Sequence, residues 1–305
     1  MLKKNSVLTT AAIACLLVAT PAFSAHHEPV EHAAPAATPN MVISEAFTAP
    51  GPSLATVIAG DHRSEENKAR DAFRHPAETL NFFGLTADMT VVEIWPDGGW
   101  YMDIVAPIVA AEGVYYAVGY GRSSDSEYKK KATKAMIDKV AANPGLFGRV
   151  VITELSNEKF DIAPEGSADM VLTFRNVHNW MDGTGQEVRV FDAMFKALRP
   201  GGILGVVEHR ADADAPVDPK ASSGYVPQDL VIKLAEDAGF QLVDSSEINA
   251  NAKDTKDHPS GVWTLPPSLL KGEEDKDKYI AIGESDRMTL KFVKPRNKGM
   301  ASTAD

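Results

Sequence analysis

The feature that most constrains this 305-residue chain is the stretch VVEIWPDGGWY at residues 91–101. An apolar run ends in Glu93 and Ile94, a turn rich in proline and glycine follows, and an amphipathic stretch begins at Met102. A strand, a glycine turn and a helix in this order present backbone N–H groups and a helix N-terminus to an anionic ligand. The pattern therefore predicts a ligand site in this turn, with a sheet behind it.

Downstream of the turn, apolar runs of strand length alternate with amphipathic stretches of helix length. The pattern predicts seven strands, at residues 90–95, 114–118, 149–153, 168–174, 203–208, 241–246 and 288–293. It predicts helices between them at residues 102–111, 129–142, 187–198 and 228–238. Apolar strands separated by helices are typical of a parallel sheet that is covered on both faces. We therefore expect an α/β fold.

The ends of the chain have compositions of their own. Residues 1–25 have the parts of a secretory signal peptide: Lys3 and Lys4, an apolar run over residues 7–18, and small residues with Ala22 and Ser24 at positions −3 and −1. The apolar run is shorter than the ~20 residues of a membrane-spanning helix. We therefore expect an exported protein, periplasmic or secreted, without an integral membrane span. Residues 26–50 predict a disordered linker and residues 296–305 a disordered tail.

Charge and cysteine content exclude several kinds of site. The one cysteine, Cys15, lies in the predicted signal peptide, so the mature chain would have no disulfide, thiolate metal site or cysteine nucleophile. The formal net charge of −11, without a localised basic patch, argues against nucleic acid as a partner. The remaining histidines are scattered, and their spacing predicts no metal site.

Two further regions flank the predicted sheet. Helical spacing predicts leading helices within residues 53–84, and they carry a polar cluster formed by Arg63, Arg70, Asp71, Arg74 and His75. We favour surface ion pairs for this cluster, and closure over a bound ligand is the alternative. Residues 248–286 are polar and contain prolines, which predicts a long loop or an insert between the last two strands.

Four blocks of the sequence resemble class I S-adenosylmethionine-dependent methyltransferases. They are the turn after the first strand, ADMVLTFRNVHNW at 168–180, MFKALRPGGIL at 194–204 and EDAGFQL at 236–242. In addition, RHPAE at 74–78, FFGL at 82–85 and DRMTLKFVKP at 286–295 resemble a subgroup of predicted exported methyltransferases. The resemblance implies a Rossmann-like, doubly wound, mostly parallel seven-stranded sheet with a reversed C-terminal hairpin, in a methyltransferase-like domain over residues 51–295.

The resemblance also implies S-adenosylmethionine as co-substrate and a small molecule as methyl acceptor. It places the donor against the acid at the end of the first strand, the turn, and the end of the second strand; the residues are Glu93, Trp95, Pro96, Asp97, Gly98, Gly99, Trp100, Tyr101, Gly119 and Tyr120. The chain departs from the family pattern in two places. Trp95 and Asp97 stand where the family has glycines, and no acid ends the second strand, although Asp125 or Glu127 could replace it.

The catalytic candidates follow the fourth strand, at the sheet edge where ligands bind in such folds. His178 is the candidate general base, with a structural or acceptor-orienting histidine as the alternative. Asn176 and Arg175 either hold the acceptor or shape the turn. Glu208, His209 and Arg210 follow the fifth strand at the same edge and rank behind these three.

Other enzyme classes lack their sequence signatures here. The chain has neither the G-x-G-x-x-G of dinucleotide-binding oxidoreductases nor the G-x-S-x-G of serine hydrolases. We therefore expect a methyltransferase that acts on a small molecule. The alternative is a non-catalytic exported ligand-binding protein on the same scaffold, because the donor is made in the cytoplasm and a fold does not fix a function.

Overall fold

The computed structural model describes residues 51–121, 124 and 126–296 of the chain. Its seven strands are β1 (Thr90–Ile94), β2 (Val114–Tyr120), β3 (Val150–Leu155), β4 (Ala168–Phe174), β5 (Leu198–His209), β6 (Gln241–Ser246) and β7 (Arg287–Val293). The α-helices in this part are α1 (Leu54–Ala59), α2 (Glu65–Ala69), α3 (Asp71–Arg74), α4 (Pro76–Phe83), α5 (Met102–Val109), α6 (Glu127–Ala142), α7 (Pro144–Phe147), α8 (Val177–Trp180), α9 (Gln186–Ala197), α10 (Gln228–Asp237) and α11 (Lys276–Ile282). A 3-10 helix covers Gly261–Thr264.

All seven strands form one sheet, in the order β3-β2-β1-β4-β5-β7-β6. The strands β1 to β5 run parallel to their neighbours among themselves, while β7 is antiparallel to both β5 and β6. This confirms the predicted fold class, a mostly parallel doubly wound sheet with a reversed C-terminal hairpin. The chain order reverses between β1 and β4, so the carboxyl ends of these two central strands border a crevice, the usual ligand position in open α/β sheets.

Helices cover both faces of the sheet, which explains why the central strands are apolar throughout. On one face, α4 and α5 contribute Leu80, Phe83 and Ile104 to a buried cluster. On the other face, α9 and α10 contribute Phe191 and Val231 to a second cluster. The two clusters hold the sheet edge rigidly in place beneath the crevice.

Several boundaries differ from the prediction for local reasons. The strand β5 begins at Leu198, five residues before the predicted start, because the Pro-Gly-Gly run stays at the sheet: the N–H of Gly201 donates to Lys294 O over 2.7 Å. Within the predicted leading helices, residues 65–74 form two separate helices, α2 and α3, which meet at Arg70. The predicted insert is not a plain loop, since it contains the 3-10 helix and α11.

Two residues of the polar cluster on the leading helices are buried, and the other three are partly exposed. Arg63 and Arg74 are each only 2% exposed, so the interpretation as surface ion pairs is wrong for them. Arg63 pairs with Asp71, the two closest atoms being 2.6 Å apart. Arg74 pairs with Glu284 of the insert, 210 residues away.

Some predictions concern residues outside those described. They are the signal peptide at 1–25, the linker at 26–50, the tail at 296–305 apart from Arg296, and Asp125 as a substitute acid. Within the described part, none of the helices combines the length and the apolar character needed to cross a bilayer.

Candidate active site

A cavity of about 480 Å³ lies at the carboxyl ends of the central strands. The strands contribute Glu93 from β1, the residues that follow β4, and His209 from the end of β5. The leading helices contribute Arg74, and the insert covers the cavity with Trp263, Glu284 and further residues around them. The insert therefore completes a chamber that the sheet edge begins.

The turn after β1 has an unusual backbone. Trp95 and Asp97 have φ angles of 47° and 51°, in the left-handed region that glycine adopts at little cost and other residues rarely adopt. Gly99 follows with φ 78°, and its N–H donates to Pro96 O over 2.8 Å. The backbone at Trp95 and Asp97 therefore has the conformation of a glycine turn, although both residues carry side chains.

Those side chains separate the cavity from a second one of about 360 Å³, which is lined by the ends of β2 and β3 and by α9. The Trp95 and Tyr120 rings line both cavities and pack together, with centroids 4.6 Å apart. Lys129 lies over the Trp95 ring at 5.2 Å. Tyr128 donates from its hydroxyl to Asp97 over 2.7 Å and leans over Tyr120. The Trp95 and Tyr120 rings therefore form an aromatic partition between the two cavities. A ligand that occupied both cavities would have to cross this partition.

Glu93 is the acid at the end of β1, and it is 3% exposed. Burial raises the pKa of its carboxyl to about 8, although a hydrogen bond from the Tyr115 hydroxyl opposes the rise. At neutral pH the group is therefore mostly protonated until a cation approaches it.

The turn after β4 places two of the catalytic candidates. Arg175 has φ 60° and donates its backbone N–H to Val207 O over 2.7 Å, which anchors the turn to β5. Asn176 precedes α8, and its side-chain amide donates to Ile94 O over 2.8 Å, which anchors the turn to β1. Both residues line the cavity, so they shape the turn and also face the ligand space.

His178 is held by Glu208, a fully buried residue near the end of β5. One oxygen of Glu208 accepts the N–H of Val177 over 2.5 Å, and the other accepts the N–H of His209 over 2.8 Å. The His178 Nδ1 lies 2.9 Å from that second oxygen. Because Glu208 accepts on both oxygens, the proton is on Nδ1 and the lone pair of His178 is on Nε2.

His209 lies beside this pair, with its ring centroid 5.2 Å from that of His178. Its Nδ1 is 2.5 Å from the hydroxyl oxygen of Ser285. Burial is the largest cause that lowers the pKa of His209 well below its usual range, and the positive charge of Arg175 adds to it, so the ring is neutral. Ring nitrogens of His178 and His209 and a carboxylate oxygen of Glu208, all atoms that could ligate a metal ion, lie within 4.8 Å of one another. The spacing in the sequence did not predict this cluster. The Glu208 carboxylate already takes part in hydrogen bonds through both oxygens. We therefore interpret the cluster as two histidines that are held in place by hydrogen bonds.

The structure gathers most of the predicted site residues in the first cavity: Glu93, Trp95, Pro96, Asp97, Trp100, Tyr101, Tyr120, Arg175, Asn176 and His178. Gly98, Gly99 and Gly119 do not line it. Gly119 instead lets Met136 approach β2, since a Cβ there would lie 2.7 Å from Met136 Cε. Glu127 pairs with Lys130 and lines neither cavity, so it does not replace the missing acid of the second strand.

Sequence reasoning placed Arg74 on the surface and missed Tyr128, Trp263 and Glu284. Arg74 stands in the motif RHPAE at 74–78, which the sequence analysis had singled out, and this was a usable signal. Trp263 and Glu284 lie in the insert, where no pattern pointed to the sheet edge.

No protein-family model matches the sequence, and no curated protein matches it. Solved structures do resemble it. The [4+2]-cyclase SpnF is 16% identical with a TM-score of 0.51, covering 78% of this chain and 85% of its own. A SAM-dependent methyltransferase from Aquifex aeolicus is 15% identical with a TM-score of 0.49, covering 79% and 98%. An arsenic(III) S-adenosylmethionine methyltransferase from Chlamydomonas reinhardtii is 15% identical with a TM-score of 0.46, covering 82% and 76%.

At such identities the likeness concerns the fold alone. The strand order, the reversed last pair of strands and the crevice beside β1 agree with it. The chain therefore has the Rossmann-like fold of class I S-adenosylmethionine-dependent methyltransferases.

Proposed function

We propose that this protein is an S-adenosylmethionine-dependent methyltransferase that acts on a small molecule. The observation that carries the proposal is the His178–Glu208 pair, which faces a cavity of about 480 Å³ beside the turn after β1. A base held in one tautomer at the edge of a ligand chamber is suited to proton removal. The likeness of the fold to methyltransferases supports methyl transfer as the reaction in which this base would act.

The residues around the turn fit part of the donor. Glu93 is placed to ionise against its ammonium group, and the backbone N–H groups of Asp97 and Trp100, which line the cavity just before α5, would bind its carboxylate. The second cavity, with Ser126, Asn157 and further polar groups, offers partners for a ribose. The Trp95–Tyr120 partition does not fit, and it must move for one ligand to occupy both cavities.

When bound, the donor would supply a methyl group on a sulfonium: the acceptor atom would bond to the methyl carbon in line with the breaking carbon–sulfur bond, and the neutral thioether, S-adenosylhomocysteine, would leave. The protein positions the reactants and excludes water, and such positioning supplies much of the rate in this kind of reaction. His178 Nε2 accepts the proton that an acceptor hydroxyl or amine loses, and the Glu208 carboxylate stabilises the resulting imidazolium. Asn176 anchors the turn after β4, which faces the acceptor, to β1.

Calorimetry with S-adenosylmethionine and S-adenosylhomocysteine tests the proposal. We expect binding that the variant Asn179→Trp weakens at least about tenfold, because Asn179 is exposed and lines the cavity. Asn81→Trp, on the exposed face of α4, is the matched control and should bind as the wild type does. If neither compound binds at millimolar concentration, the proposal is wrong.

The partition gives a second candidate some support. A chain that closes its donor crevice with Trp95 and Tyr120 could bind a ligand in the first cavity without any methyl transfer. One protein of the same fold, SpnF, is a [4+2]-cyclase, so the fold admits other roles. This candidate predicts that small molecules bind while the donor and its product do not.

We also propose that the protein is exported, as the subgroup that it resembles is predicted to be. Residues 1–25 support this proposal through their basic, apolar and small-residue parts. Sequencing the N-terminus of protein purified from the native host is the test. We expect it to begin at Ala25, and an intact Met1 would contradict export by cleavage.

A further inference from the structure

Three arginines pair with one carboxylate at the side of the cavity that the insert covers, and a fourth, Arg175, acts on it through its charge alone. Glu284, 4% exposed, pairs with Arg70 at 2.7 Å, with Arg74 at 3.2 Å and with Arg287 at 3.2 Å. Burial would raise the pKa of Glu284, yet Arg74, Arg287, Arg175 and Arg70 together lower it to about 2. The group has four positive charges against one negative charge, in a protein whose formal net charge is −11.

Two of these arginines line the cavity and have side-chain N–H groups without a hydrogen-bond partner among the described residues. Arg74 uses Nε for Glu284, but its buried Nη1 has no hydrogen-bond partner among the described residues. Burial, followed by the charge of Arg175, lowers the pKa of Arg74 well below its usual range. Arg175 makes no ion pair or side-chain hydrogen bond with any residue in the described ranges.

The other acids that face the cavity do not supply the missing charge. Glu93 has a pKa of about 8 and is mostly neutral at pH 7. Asp97 accepts the Tyr128 hydroxyl and makes no ion pair with either arginine in the described part of the chain. Glu208 accepts backbone N–H groups and His178, and His209 is neutral. An anion from outside the chain is therefore the natural partner of the two arginines.

The walls next to them are aromatic and flat. The Tyr101 and Phe174 rings stack with centroids 3.5 Å apart at an angle of 8°. Trp100 lies under the guanidinium of Arg74 at 4.7 Å, and Trp263 closes the chamber from the insert. We propose that Arg74 and Arg175 bind the carboxylate of a small aromatic acid, with its ring held among these side chains. The proposal deepens the proposed function, on which it rests, by naming the class of the acceptor.

Calorimetry with two matched probes tests this proposal in the absence of any methyl donor. The probes are 4-hydroxybenzoate and 4-hydroxybenzamide, which have the same shape and differ in charge. We expect the acid to bind at least about tenfold more tightly than the amide, since hydrogen bonds to charged groups are the stronger ones. Equal binding of the two, or no binding of the acid at millimolar concentration, would overturn the proposal.

Arg175→Gln is the test variant, because Arg175 has no ion pair whose loss would unfold the protein. We expect it to weaken binding of the acid between about tenfold and about a hundredfold, and to leave the amide unchanged. Arg199→Gln removes the same charge at the opposite edge of the sheet, where Arg199 pairs with Asp169, and serves as the control. Equal losses in the two variants would refute a site at Arg175.

The carboxylate could instead belong to the donor, and a second pair of probes separates the two sources. S-adenosylhomocysteine has a carboxylate, whereas 5′-methylthioadenosine lacks the whole amino-acid part. If the arginines serve the acceptor, Arg175→Gln leaves the affinity for both nucleosides unchanged. If it weakens only S-adenosylhomocysteine, the site belongs to the donor and the acceptor proposal is wrong. Failure of both nucleosides to bind would overturn the proposed function but not the result with the acid.

Discussion

Replacing Glu93 with glutamine removes a carboxyl group that the fold keeps protonated. Its side chain is 3% exposed, and burial raises its pKa from 4.5 to about 8. Between these two values the folded state binds a proton that the unfolded state has already released. The wild type must therefore lose stability as the pH rises from 4.5 through 8. Glutamine has nearly the same shape, can still accept from the Tyr115 hydroxyl, and does not titrate.

The size of the effect follows from the two pKa values. At about 1.36 kcal/mol for each pH unit, holding the proton at pH 7 costs the wild type about 3 kcal/mol. At pH 9, where both states are ionised, the cost reaches about 5 kcal/mol. Glu93→Gln should thus stabilise the protein by these amounts, which corresponds to a rise in Tm of roughly 6–12 °C at pH 7.

Thermal unfolding followed by circular dichroism between pH 5 and pH 9 is the assay. We expect the difference in Tm between Glu93→Gln and the wild type to grow with pH. Glu78→Gln, a change of the same kind on the exposed part of α4, should follow the wild type at every pH. A constant difference between Glu93→Gln and the wild type would refute the reasoning, because it would mean that the carboxyl does not titrate in this range.

Three further variants test other parts of the site. Trp95→Gly should cost about 3 kcal/mol or more in stability but tighten the binding of S-adenosylhomocysteine, since glycine accepts φ 47° and opens the partition; an unchanged affinity in calorimetry would contradict this. Glu208→Gln should lower kcat by about 10- to 100-fold and shift the pH profile, because His178 loses its orienting carboxylate; a profile like that of the wild type would exclude His178 as the base. Glu284→Gln should lower the free energy of unfolding by about 3 kcal/mol at pH 7, because a carboxyl whose pKa is about 2 stabilises the fold fully above pH 4.5. This stabilisation disappears as the pH falls to 2, so chemical denaturation should show the free energies of unfolding of the variant and the wild type converging. A difference between them that persists at pH 2 would count against the ion pairs.

The strands of this protein were readable from the sequence because each is a run of apolar residues between turn signals. β4 and β6 agree with the prediction at both ends. The short helix α8 was missed because only four residues form it, and its N-terminal N–H groups depend on Glu208 in a strand 31 residues further along. Such a contact leaves no periodic trace in the sequence.

The site was predictable where it follows the sheet edge and unpredictable where distant segments meet there. Asn176 and His178 follow β4 directly, so the fold alone placed them at the cavity. Arg74 looked like a surface residue because its partner, Glu284, lies at the end of an insert with no recognisable pattern. The burial of a charged residue depends on its counter-ion, and here more than 200 residues separate the two.

The distribution of tryptophan gives the protein a built-in optical probe. The sequence has four tryptophans; Trp95, Trp100 and Trp263 line the cavity, while Trp180 is completely buried behind it with its ring centroid 6.1 Å from that of Trp95. A ligand that enters the chamber changes the surroundings of three emitters and leaves the fourth in place. Changes in intrinsic fluorescence can thus report occupancy without any label, so libraries of small acids and nucleosides can be screened on the unmodified chain.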